Sequence, residues 1–175
     1  MAAGLSVWYI AGMRSVGPCA GCGLEGPGGA AGCHSRYEAL LALEFGNALF
    51  FRVHRVTVDA YSLQHPEHYC ASAISFAAHL TGLFAAMEHE DPRAVNARVQ
   101  RWLSSRPRLD KPALPLDRGR LTIANVKETG DPVAYAREVE DWGRATWDAY
   151  RDVHALAREW TQRATEQAGR TPIVR

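Results

Sequence analysis

The sequence predicts a mostly α fold: a bundle of about five helices whose N-terminal Cys- and Gly-rich loop is clipped by a metal ion. Three observations carry that expectation. Apolar residues recur at steps of three and four through most of the chain after residue 34. Helix-start signals, Asp91-Pro92 and Asp131-Pro132, open two of these periodic segments, with a capping residue placed before a proline at the first helical position. Cys19, Cys22 and Cys33 sit in or beside a glycine-rich stretch too poor in apolar residues to order itself.

Residues 14–32 hold seven glycines from Gly17 to Gly32, which makes regular structure there unexpected. The first helix is expected from His34 to about Ala48, with Tyr37, Leu40, Leu41, Glu44 and Phe45 on one stripe and Gly46-Asn47 as its stop. Phe50 to Gln64 reads two ways. Val53, Val56, Thr57 and Val58 favour a strand by propensity, whereas Val53, Val56, Ala60 and Leu63 follow helical spacing. The helical reading is preferred, and Pro66 ends the element in either case because His65 is pushed out of the α region.

Ser72 is the expected N-cap of a helix with Phe76, Leu80, Leu83 and Met87 on its apolar stripe. The helix opened by Asp91-Pro92 carries Val95, Val99, Trp102 and Leu103. Residues 104–121 contain three prolines and read as an extended loop, followed by a short helix near 122–128. Beyond Asp131-Pro132, the series Tyr135, Val139, Trp142, Thr146, Ala149, Val153, Leu156 and Trp160 forms one seam. It predicts a single helix over about 132–167 that Gly143 could bend. Trp142, Trp147 and Trp160 are expected in the core, as is Cys70.

The chain has 175 residues, which suits one domain. The expected organisation is a tail over 1–16, a helical domain over 17–168 that includes the zinc loop 17–34, and a short tail over 169–175. Lys+Arg number 20 against 19 Asp+Glu, which leaves no electrostatic footprint for nucleic acid. No apolar run approaches the ~20 residues of a membrane helix. The first residues lack the basic and apolar regions of a signal peptide, so a cytoplasmic protein with reduced thiols is expected.

Cys19-Ala-Gly-Cys22 presents two thiolates from one tight turn, and Cys33 supplies a third. Soft thiolates in this number suit Zn2+, which takes four ligands. The fourth is sought among His34, His54, His65, His68 and Cys70. If the two helices form an antiparallel hairpin turning near Ala48–Phe51, His65 returns beside Cys33 while His54 lies near Glu44. His54 and His65, eleven residues apart, are separated by roughly 16 Å along a helix and cannot share one ion. His65 is therefore preferred. His34, adjacent to Cys33, should point away.

His54, Asp59, Tyr61 and His79 are the candidates for chemistry beyond the metal. A histidine in a pocket beside the ion would serve as a general base. The competing reading has these residues hydrogen-bonded inside the bundle, with Asp59 at the surface or capping a loop.

Cys19-Ala-Gly-Cys22-Gly23, Cys33, the run Val53-His-Arg-Val-Thr-Val-Asp-Ala-Tyr-Ser-Leu-Gln-His-Pro66, His79-Leu80 and the later Val139–Trp142–Trp147–His154–Trp160 series together resemble the DUF5946 family, bacterial proteins of unknown function. The resemblance covers about residues 17–162 and implies no activity. Three functions are compatible with these residues: a zinc-stabilised binding or adaptor domain for a protein or small molecule, a metal-dependent enzyme, and a thiol-based redox or zinc sensor.

Overall fold

The computed structural model describes residues 17–26 and 28–170. The expected N-terminal tail and the last five residues lie outside them. Eight α-helices and no strand are found among the described residues: α1 Gly29–Gly46, α2 Ala48–Phe51, α3 His54–Gln64, α4 Pro66–Tyr69, α5 Ala73–Glu88, α6 Pro92–Ser104, α7 Pro132–Ala149 and α8 His154–Arg170. The count exceeds the expected five because single-turn helices fill two corners and the long C-terminal seam is split. None of these helices is long and apolar enough to cross a membrane.

The centre of the bundle is α5. Its sequence is apolar on nearly every face, and it touches α3, α6, α7 and α8. Phe76, Ala77, Leu80, Leu83 and Ala85 are wholly buried there. A capping box starts the helix: Ser72 Oγ accepts from the Ser75 N–H, and Ser75 Oγ accepts in return from the Ser72 N–H. Asp91 and Asp131 cap α6 and α7 as the sequence predicts, each before a proline.

Two helix boundaries depart from the sequence reading. First, α1 begins at Gly29, five residues before His34, so part of the glycine-rich stretch is helical. Cys33 lies one turn into this helix and is completely buried. Second, the expected 132–167 helix ends at Ala149, and a 3-10 turn, Arg151–Val153, redirects the chain into α8. The turn is held by local bonds that outweigh the unbroken apolar period. The Trp147 carbonyl is bonded by the Tyr150 N–H (2.9 Å) and the His154 ring (2.8 Å), and that ring stacks on the Trp147 indole. The Tyr150 hydroxyl donates to the Leu63 carbonyl at 2.6 Å. After the break α8 packs on α5 and α6, while α7 packs on α3.

Gly143 lies inside α7. It is a point of close approach, where an added Cβ would lie 2.5 Å from Val56 Cγ1. Residues 50–64 follow the helical reading, as the end of α2 and the whole of α3 with Arg52 and Val53 in the turn between them. Phe45, placed on the apolar stripe of α1 by its spacing, is instead 69% exposed. The expected short helix near 122–128 is a 3-10 turn, Ile123–Asn125, capped by Thr122.

Candidate metal centre

The loop before α1 closes on itself. The Gly23 N–H donates to the Cys19 carbonyl (2.7 Å), and the Cys19 N–H donates to that of Leu24 (2.9 Å). This turn needs a left-handed residue at its exit, and Gly23 adopts φ 71°. Gly21 meets a different demand. A Cβ there would lie 2.3 Å from His65 Cδ2 and 2.9 Å from the Gln64 carbonyl oxygen, so only bare backbone lets the loop reach the end of α3.

Four side chains converge where the loop, α1 and α3 meet. Cys19 and Cys22 come from the loop, Cys33 from the start of α1, and His65 from the C-cap of α3. Their candidate ligand atoms all lie within 4.8 Å of one another. Cys22 Sγ is 3.6 Å from Cys33 Sγ, and His65 Nε2 is 3.4 Å from both Cys19 Sγ and Cys33 Sγ. A metal about 2.3 Å from sulfur and about 2.05 Å from nitrogen at the centre of a tetrahedron gives edges of about 3.8 Å (S–S) and about 3.6 Å (S–N). The three edges match those lengths to about 0.2 Å.

The imidazole is oriented for the same purpose. His65 Nδ1 lies 2.8 Å from the Tyr61 carbonyl, which can only accept, so Nδ1 carries the proton and the Nε2 lone pair faces the sulfurs. Tyr61 stacks on the His65 ring, Tyr37 stacks on Tyr61 with centroids 3.8 Å apart, and Tyr69 meets both tyrosines edge-on. Burial holds the Tyr61 hydroxyl well above its usual pKa, and that of Tyr37 at about 12. Both phenols therefore stay neutral beside the cluster.

With no cation, the cysteines must share protons. The Cys22 thiol is lowered to about 4, foremost because the Cys33 thiol donates to it and with His65 and the Leu24 N–H adding to the effect, against an opposing push from burial. Cys33 is driven far upward by the same bond, by burial and by the neighbouring sulfur charges. One thiolate is thus tolerated at the cost of its neighbour. Three thiolates together require a nearby positive ion, so the donor set fits a metal both in geometry and in charge.

A residue that the sequence reading passed over locks the loop down. Arg118, from the segment between α6 and the 3-10 turn, donates through Nη1 to the Gly21 and Gln64 carbonyls (both 3.2 Å) and pairs with Glu67. Gln64 is fully buried and satisfied. Its amide nitrogen donates to the Arg118 and Leu121 carbonyls, and its oxygen accepts from Trp142 Nε1 at 3.0 Å. The placement of Gln64 directly before His65 was visible in the sequence. Its partners, more than 50 residues away, were not.

The remaining candidates are not gathered at this centre, Tyr61 excepted. His54 Nδ1 is 2.7 Å from Glu44 Oε2, as the hairpin argument expected. Glu44 is wholly buried and also accepts from Thr57 Oγ1 (2.5 Å) and the Tyr135 hydroxyl (2.7 Å). Its position on the apolar stripe of α1 was the signal for that role. Asp59 is neither at the surface nor capping a loop. It is fully buried between α3 and α5, accepting from Arg55 Nε (2.6 Å) and bonded to His79 Nδ1 (2.9 Å). An open cavity of about 660 Å³ reaches the cluster and is lined by Cys19, His34, Tyr61, His65, His68 and Tyr69 among others, but not by His54, Asp59 or His79. His34 points outward and lies 3.5 Å from Glu38. Cys70 is buried and donates to the Ser62 carbonyl at 3.5 Å.

The model of a family of unknown function, DUF5946, matches residues 17–151, and the chain belongs to that family. The match contains all four clustered residues and stops before α8. No curated protein matches the chain, and no solved structure does.

Proposed function

We propose that this DUF5946 member holds one Zn2+ through Cys19, Cys22, Cys33 and His65, and that the ion is structural, ordering the N-terminal segment of a small cytoplasmic binding or adaptor domain. The carrying observation is the three tetrahedral edge lengths together with His65 Nε2, which is turned toward the sulfurs. Zinc suits this donor set because it favours thiolate and imidazole in fourfold coordination. Four protein ligands leave no position for a reactive water, so the site is closed. The binding role is supported by Phe45, Leu49 and Phe51, which are large, apolar and exposed where α1 meets α2.

Elemental mass spectrometry of the purified protein tests the site. About one zinc per chain is expected, lost in Cys33→Ser and in His65→Ala and kept in His65→Cys. A parent protein free of zinc would overturn the proposal. Zinc retained by His65→Ala would open a coordination position and return weight to a metalloenzyme.

A second reading, a redox sensor, is favoured by the 3.6 Å between Cys22 Sγ and Cys33 Sγ. Hydrogen peroxide would take two electrons from these thiolates, forming their disulfide and two hydroxide ions and releasing the metal. The alternative pair is Cys19–Cys22, whose thiols the sequence places on one tight turn. Peptide mapping after mild peroxide treatment distinguishes the two, and intact zinc with no disulfide removes the sensor reading.

A further inference from the structure

On the opposite side of α3 from the cysteines, Asp59 and His79 form an arrangement that the metal reading leaves unused. Asp59 is fully buried and joins two partners, Arg55 on its own helix and His79 on α5. The contact depends on Gly82. A Cβ there would fall 2.1 Å from Asp59 Oδ2 and 2.4 Å from Arg55 Nη2, so α5 presents bare backbone to the pair. Arg55 is fixed at a second point, where Nη2 donates to the Ala78 carbonyl at 2.8 Å. Nε and Nη2 are thus committed, while Nη1 has no hydrogen-bond partner among the described residues.

Arg55 also lines a cavity of about 400 Å³ between α5 and α6. The apolar walls are Ile74, Ala78, Val99 and Leu103, and Asn96 and Gln100 supply amides. Every other lining residue is uncharged, so Arg55 is the one charge the cavity offers. The volume falls within the range of small-molecule sites, and an apolar body with a few placed polar groups is their usual lining.

We propose that this cavity binds a small organic carboxylate on an apolar body, with Arg55 as its anchor and Asp59 and His79 as positioning residues. A guanidinium already held at two points loses little further freedom when it engages an anion. Its uncommitted Nη1 supplies a charge-assisted hydrogen bond. Asp59 offsets part of the positive charge on the Nε side, so the preference for a carboxylate over its neutral amide is that of one such bond, on the order of tenfold to a hundredfold.

The probes are 2-naphthoate and the neutral isostere 2-naphthamide, titrated into 15N-labelled full-length protein. The reporters are the Ala78 backbone amide and the Asn96 and Gln100 side-chain amides. Naphthoate is expected to shift these signals at concentrations at least tenfold lower than naphthamide. Arg55→Met should abolish that preference, so that naphthoate and naphthamide shift the signals at similar concentrations. Ala78→Phe, which fills the cavity and keeps the guanidinium, should abolish both. Equal binding of the two probes to the parent, shifts confined to other surfaces, or a preference that survives Arg55→Met would overturn the proposal. Should Arg55→Met fail to fold, Ala78→Phe decides: naphthoate shifts that persist in it overturn the proposal.

Discussion

The α1–α3 hairpin buries a polar cluster at each of its ends, and the two are stabilised by opposite means. At the α1–α2 corner, Glu44 carries a charge into the core and meets three donors: Thr57, Tyr135 and His54. Its hydrogen bonding is complete within the chain. At the other end, the ligand atoms of three cysteines and an imidazole crowd within 4.8 Å of one another. The first is a hydrogen-bonded node that can assemble as the helices pack. The second is a donor set that could hold a metal ion from outside. Only the second should therefore respond to the supply of metal in the solution.

The largest expected effect breaks that comparison at the cysteine end. If the proposed zinc is bound, a strong chelator or Cys33→Ser should release the loop 17–26 and lower thermal stability strongly, since zinc in such sites contributes to folding on the order of 10 kcal/mol in apparent binding energy. The bundle core should survive, because α5–α8 bury their own apolar faces. Hydrogen exchange checks the division. Protection should collapse near residues 19–33 and persist in α5. Uniform loss of protection would show that the metal holds the whole domain.

Glu44→Ala tests the other end. It leaves the Thr57 and Tyr135 hydroxyls and the His54 ring without their acceptor, and an orphaned buried donor costs about 1–3 kcal/mol. A destabilisation of about 3 kcal/mol in chemical denaturation is expected, with zinc content unchanged at one per chain. Loss of zinc in this variant would join two clusters that the structure keeps apart.

What the sequence made legible follows from this difference. Ligand spacing is local, so Cys19, Cys22 and Cys33 could be read from the chain, and the hairpin argument carried His65 into place because helix rise converts residue number into distance. The N-caps at Ser72, Asp91 and Asp131 were legible for the same reason. Of Glu44 only the place on the α1 stripe was legible, and the burial of Gln64 and Asp59 was not, since each owes it to partners far along the chain. The break at Tyr150 was hidden because the apolar period continues through the 3-10 turn while the backbone does not. Phe45 followed the period and is exposed, because a stripe of spacing does not say where the covering helix ends.

A third substitution sharpens the contrast between polar nodes and simple packing. Gly143→Ala adds a methyl where α7 meets Val56, with Met87 Cε also only 3.1 Å away. Overpacking of this kind costs typically 1–3 kcal/mol. Fluorescence-monitored urea unfolding should show the unfolding free energy fall by that amount, seen as a lower midpoint, with no change in metal content. An unaltered midpoint would mean that Val56 and Met87 give way freely.

The smallest effect comes from thinning the Glu44 node without emptying it. Tyr135→Phe removes one of three donors and keeps the ring against Phe50. A cost of about 1 kcal/mol is expected at neutral pH. Its pH dependence is the more telling part. Burial and the bond to Glu44 raise the Tyr135 hydroxyl above the ordinary tyrosine value, so the folded state favours the protonated phenol. That contribution is fully present below about pH 10, where an unfolded tyrosine is also protonated, and is lost as pH rises above it. The stability difference between the parent and Tyr135→Phe should therefore hold steady through neutral pH and shrink in alkali. A difference that grows with pH would mean that the phenol ionises more readily in the fold than outside it, and that Glu44 is not the charge it faces.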